Sequence, residues 1–383
     1  MDSKTIRMLF TAVIVVVVGV VQSQTPLAAS LKKAKMIQWG DSGPLTYIRD
    51  NIREMEKMPF DGLILNLQSN NGAVLSCWNV FVPTPLKAED YSKDIEALKA
   101  TKFKKFTDNL LVVDITPGRM DWFDDNFKTA AANAGVMAKI ARECRMKGFM
   151  FDVEQYEGQI FDYKAQPQKD QHTFAEYQAK ARERGREFMR AVNAEFPNIR
   201  ILMTFSYEVA YGSLPEGGDL STMPYGLWPS MIDGMLDVAA DKTIIYDGFE
   251  YSYGLKTEAE YKGAQGFMMV MGHMKTGNVK EYDKHYRSSF GIWTDNGRHW
   301  DSVDFTKNYF SPEEFGTALH SALKYSDGYV WVYSEASKWW NWNGLRNVPQ
   351  PYIDALANAR RPRPNPPAAR ELEPKKEEAP PTK

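Results

Sequence analysis

The chain has 383 residues, 43% hydrophobic and 25% charged, with a formal net charge of −2 at pH 7. This composition supports a large buried core, and the even spread of charge, without a basic patch interleaved with aromatics, argues against a nucleic-acid partner. Two cysteines, Cys77 and Cys144, make no disulfide framework, and five histidines without HxH or HxxxH spacing make no imidazole metal site, so neither a metal nor a cofactor is expected.

At the N-terminus Lys4 and Arg7 precede an apolar run over 8–21 that ends in Gln22, Ser23 and Gln24. The order of charge, apolar stretch and polar exit reads as a secretory signal over 1–24, with cleavage as late as residue 29. The run is shorter than the ~20 residues that cross a bilayer, so an uncleaved anchor is the weaker alternative and no stable span is expected after cleavage. The protein is thus expected to be exported, to a periplasm or beyond the cell.

From residue 30 to 360, β-rich runs alternate with amphipathic stretches, the pattern of βαβ units. Strands are expected over 34–40, 61–68, 109–118, 148–156, 199–207, 242–251, 288–297 and 328–335. Between them Ile48, Ile52 and Met55 form one helical stripe, and Thr173/Glu176, Thr257/Glu260 and Ser311/Glu314 have the spacing of capping boxes. Cys144 falls on an apolar helical position, and Met268, Met269, Met271 and Met274 are expected to fill core. With no GxGxxG or GxxxxGK(S/T) after the first strand, a single closed (β/α)8 TIM barrel fits better than an open doubly wound sheet. Beyond it, 361–383 is rich in proline and charge and is expected to be a disordered tail.

In such a barrel the reactive groups sit where strands run into the following loops. The sequence places Trp39 and Asp41 there after the first strand, Asn66 after the second, Asp114 after the third, and Asp152 and Glu154 on the fourth. Tyr207 and Glu208 close the fifth, Asp247 and Glu250 the sixth, Trp293 and Asp295 the seventh, and Trp331, Tyr333 and Glu335 the eighth. Alternation puts Asp152 and Glu154 on one face of their strand and Phe151 and Val153 on the other. The apolar pair should face the helices and the acids the barrel axis. Two acids held together raise each other's pKa, which suits Glu154 to general-acid work. Asp114 and Asp247 read as structural carboxylates, and Trp339, Trp340 and Trp342 as either sugar-stacking or buried rings. Loops over 69–90, 157–172 and 208–229 should shape the mouth.

The stretch Gly148-Phe149-Met150-Phe151-Asp152-Val153-Glu154 resembles the fourth strand of chitinase-type glycoside hydrolases and the related endo-β-N-acetylglucosaminidases. Gly148, Asp152 and Glu154 match their Asp-Gly-x-Asp-x-Asp-x-Glu pattern, while Lys147 and Met150 stand where its first two aspartates would be. The resemblance implies Glu154 as proton donor, Asp152 as the group that orients an N-acetyl nucleophile, and Trp331 as a sugar-site floor. The pattern from WFDDNF (122–127) through FDY (161–163) to DGYVWVYSE also looks like uncharacterised exported bacterial proteins described as glycosidases. The expected function is hydrolysis of an oligo- or polysaccharide, with Asn66, Trp39, Tyr207, Trp293, Trp331 and Tyr333 as substrate-binding residues. Glu250, Asp295 and Glu335 are the candidates for a second carboxylate in a retaining or inverting pair. A non-catalytic carbohydrate-binding barrel and a carboxylate metal site are the alternatives.

Overall fold

The computed structural model describes residues 34–361. The signal expected over 1–24 and, but for Arg361, the tail over 361–383 lie outside the described residues. Nine short strands make one parallel sheet: β1 (Lys35–Trp39), β2 (Gly62–Leu65), β3 (Leu110–Asp114), β4 (Gly148–Asp152), β5 (Arg200–Met203), β6 (Ile244–Asp247), β7 (Tyr286–Ser288), β8 (Phe290–Trp293) and β9 (Tyr329–Tyr333). Their order is β7-β6-β5-β4-β3-β2-β1-β9-β8. The two ends of that order are one extended segment, 286–293, interrupted at Ser289. Its first half pairs with β6 and its second half with β9. The sheet therefore closes on itself, and the nine segments are the eight strands of a TIM barrel.

Helices wrap the outside, among them α1 (Leu45–Met55), α2 (Ser92–Ala100), α3 (Phe127–Glu143), α4 (Phe174–Glu195), α5 (Trp228–Asp237), α6 (Glu258–Lys275), α7 (Val279–His285), α8 (Pro312–Tyr325) and α9 (Gln350–Asn358). The stripe of Ile48, Ile52 and Met55 is buried in α1. All three expected capping boxes form, at the starts of α4, α6 and α8. Each joins a hydroxyl and a glutamate reciprocally to backbone donors that a helix start leaves open. Met268 is buried and Met269 and Met271 pack against the core, but Met274 is 71% exposed, on the solvent side of α6. Cys77 and Cys144 are both buried free thiols.

Two apolar clusters follow from strand alternation. Phe149, Phe151 and Val153 belong to the core between barrel and helices, where Phe151 stacks on Phe188 with ring centroids 5.3 Å apart. Met150, on the opposite face, joins Ile37, Val112, Leu202 and Trp331 inside the barrel. At the N-terminal end Arg200 plugs the axis, bonding Asp108 Oδ1 at 3.0 Å and the Tyr329 hydroxyl at 2.8 Å. At Gly148 a Cβ would lie 1.9 Å from the Arg200 carbonyl oxygen, so β4 and β5 can approach there only without a side chain. No described helix is long and apolar enough to cross a membrane.

Strands β3, β4 and β6 each end in an aspartate that accepts the N–H two residues on: Thr116 N to Asp114 at 2.7 Å, Glu154 N to Asp152 at 3.1 Å and Phe249 N to Asp247 at 3.0 Å. Each bond turns the chain off the ladder. Strands four and six thus stop short of their expected ends at 156 and 251.

Candidate active site

Asp114 and Asp152 are direct partners in the β3–β4 register, side by side at the C-terminal ends of their strands. Both are buried. Asp114 also accepts from the Trp78 indole at 3.1 Å, and the Thr204 hydroxyl, beyond β5, lies 3.5 Å from Asp152. Val153 still packs in the outer core, so the alternation continues past β4 and Glu154 keeps the inward face. Glu154 is half-buried, and the Tyr156 hydroxyl donates to its Oε2. Glu250 follows β6, its N–H bonded to the Thr204 carbonyl at 3.1 Å. Its Oε2 is buried without a hydrogen-bond partner among the described residues.

Burial governs the protonation of this group. It raises Asp152 well above the ordinary carboxylate range, and the charges of Asp114 and Glu154 push it further. Burial raises Glu154 too, against the opposing Tyr156 hydrogen bond. Glu250 is raised well above its usual value by burial and then by Glu154 and Asp152. Asp114 is raised to about 6, chiefly by burial, with Glu154 adding to it. Four acids held this close cannot all ionise near neutral pH, so the cluster retains protons. No group of three or more His, Cys, Asp or Glu among the described residues is placed to hold a metal ion.

Beside the acids stands an aromatic wall. Trp331 is fully buried, its indole bonded to the Gly248 carbonyl at 2.9 Å, with Trp39 at 5.4 Å and Tyr253 at 4.9 Å between ring centroids. Tyr253 stacks on Tyr333 at 5.8 Å and meets Trp293 at 5.7 Å. A Cβ at Gly291 would lie 2.7 Å from the Trp331 ring and 2.9 Å from that of Tyr253, so this inward position of β8 stays bare to admit both. Burial and the nearby Glu250, Tyr333, Glu154 and Asp152 raise the Tyr253 phenol, which places the wall within electrostatic reach of the acids. At the mouth Trp78 is 48% and Tyr156 60% exposed.

The sequence matches no family model, and no curated protein matches it. Among solved structures the chain is similar to a glycoside hydrolase family 5 enzyme from Prevotella bryantii B14, with TM-score 0.49 and 8% identity over 89% of this chain and 100% of that one. A GH5-4 broad specificity endoglucanase from an uncultured bacterium gives TM-score 0.48 and 11% identity over 89% and 98%. A GH18 chitinase from Pseudoalteromonas aurantia gives TM-score 0.42 and 13% identity over 85% and 100%. Likenesses this distant leave the chemistry to the residues themselves.

The structure brings Asp152, Glu154 and Glu250 together and sets Asp295 and Glu335 apart. Asp295 is fully buried and accepts from Ala336 N at 2.5 Å and Ser337 Oγ at 2.8 Å, which fastens the loop after β9. Glu335 is ion-paired to Arg298 and accepts from the Tyr333 hydroxyl at 3.1 Å. Asp41 does for β1 what Asp295 does for β8, binding Trp339 N at 2.5 Å and the Trp342 indole at 2.8 Å. Trp339 and Trp340 are buried, so these rings tie the loop down. Tyr207 is buried outside the barrel wall, its hydroxyl on Asp233 at 2.8 Å, and Asn66 donates to Cys77 Sγ at 3.2 Å. Behind β6, buried Asp247 and Glu208 hydrogen-bond each other, which two carboxyls can do only if one keeps a proton. Sequence reasoning passed over Trp78, Tyr156 and Tyr253. Tyr156 alone had a local signal, because it continues the inward alternation two residues past Glu154.

Proposed function

We propose that the chain is an exported glycoside hydrolase in which Glu154 is the proton donor and Glu250 the second carboxylate. The observation that carries this reading is the meeting of Asp152, Glu154 and Glu250, all with raised pKa values, beside the aromatic wall at the barrel mouth. Glu154 is half-open to solvent while burial favours its protonated form, the condition for giving a proton to a glycosidic oxygen. Asp152, bonded to the Glu154 N–H, fixes the turn that presents it. Glu250 approaches from two strands away, where a carboxylate would stabilise positive charge developing on the sugar ring or activate water. Trp78 and Tyr156 offer ring faces for adjoining sugars.

The test compares a glycan with an aryl glycoside whose dinitrophenolate leaves without protonation. Glu154→Gln should lose about 10²–10⁴-fold in kcat on the glycan and keep most of its rate on the aryl glycoside. Glu250→Gln should lose rate on both. Equal losses on both substrates in Glu154→Gln would remove it from the acid role.

A further inference from the structure

The charge of the site bears on which glycan it takes. The charges that act on Glu154's neighbours Asp152 and Glu250 are other carboxylates. Two arginines of the surrounding loops are paired elsewhere: Arg119 with Glu157 at 2.7 Å and Arg298 with Glu335. Other titratable groups that feel these acids are neutral in their ordinary form: the Cys77 thiol after β2 and the phenols of Tyr156 after β4, Tyr225 after β5, Tyr251 and Tyr253 after β6 and Tyr333 on β9. Glu250 Oε2 has no hydrogen-bond partner among the described residues although it is buried. A uronate or sulfated sugar would meet repulsion here, and a neutral sugar would leave the carboxylates uncompensated. A cation would offset them, and Tyr253, whose phenol burial and the nearby Glu250 raise, adds the attraction that aromatic rings hold for ammonium groups.

Resting on the hydrolase reading above, we infer that the glycan is cationic, a polymer of hexosamine with free amino groups, one ammonium of which sits between Glu250 and Tyr253 and leaves Glu154 its proton. Binding of that ammonium favours the ionised form of Glu250, so it should expel a proton from that carboxyl while Glu154 keeps its own. Affinity should then rise with pH and fall with added salt.

The experiment is calorimetric titration of the full chain, at low temperature to slow turnover, with the β-1,4 tetramers of glucosamine, N-acetylglucosamine and glucose. The glucosamine tetramer should bind at least about tenfold tighter than either neutral tetramer, with a heat that varies with buffer ionisation as protons are released. Glu250→Gln, checked for folding by circular dichroism, should narrow the preference for the glucosamine over the glucose tetramer. Equal affinities, no binding of the glucosamine tetramer, or a heat independent of buffer overturns the inference. Cleavage of neutral glycans with no preference for glucosamine would keep the hydrolase reading and sink this one. Tight proton-releasing binding without cleavage would do the reverse.

Discussion

Glu154 has one direct hydrogen-bond partner that reports on its role, the Tyr156 hydroxyl. That bond stabilises the charged carboxylate and works against burial, so Tyr156 sets how readily the proton leaves. Tyr156→Phe removes it and should raise the Glu154 pKa. For a residue that must be protonated to act, the alkaline limb of the kcat/KM profile then moves to higher pH. The rate at the optimum should fall by no more than about tenfold, the scale of one lost hydrogen bond. A pH–rate profile on the glycan checks this, and a limb that moves to lower pH or stays in place would contradict the role given to Glu154. Trp78 makes a different kind of contribution, a half-exposed ring held by its own bond to Asp114. Trp78→Ala should raise KM about tenfold with a smaller change in kcat, since stacking acts on bound sugar in ground and transition states alike. Steady-state kinetics separates the two parameters.

Elements closed by local chemistry were readable from the sequence, and elements closed by distant contacts were not. The capping boxes at Thr173, Thr257 and Ser311 and the outward course of Phe151 each depend on residues a few positions apart. Glu250, Asp295 and Glu335 looked equivalent because each follows a strand end. What separates them is the loop after β9, which folds back so that Ala336 and Ser337 claim Asp295 and Arg298 claims Glu335. No pattern near Glu250 announces that it is left facing Asp152 and Glu154. Asp41 shows how much such a fastening carries: buried, it joins the start of the barrel to Trp339, Trp340 and Trp342 at its end. Asp41→Ala leaves those donors unsatisfied and should cost about 2–4 kcal/mol in denaturant unfolding. A loss below about 0.5 kcal/mol would mean that the loop holds without it.

At the scale of the whole molecule the buried acids set how stability varies with pH. Burial raises Asp114 to about 6 and Glu208 to about 7, the latter beside Asp247, which is raised well above its usual range by burial and by Glu208 itself. A folded-state pKa above the unfolded value means that the folded chain holds protons the unfolded chain has released, so this contribution is complete below about pH 4 and is lost as pH rises through 6 to 7. Asp237 acts in the opposite sense: against burial, Arg182, Asn278 and Arg186 hold it down to about 2, and its contribution is lost as pH falls through 4 to 2. Stability should therefore peak between about pH 4 and 6 and decline toward pH 8, with a midpoint temperature several degrees lower there, since a tenfold change in how tightly one proton is held is worth about 1.4 kcal/mol. Glu208→Gln replaces the shared proton by an amide that can donate to Asp247 permanently. That variant should flatten the alkaline decline and leave the acid limb untouched, because Asp237 is held down by its own arginines between α4 and α5. Thermal melts of both proteins across pH 3 to 9 distinguish this from a general effect of net charge, under which the variant would follow the parent at every pH.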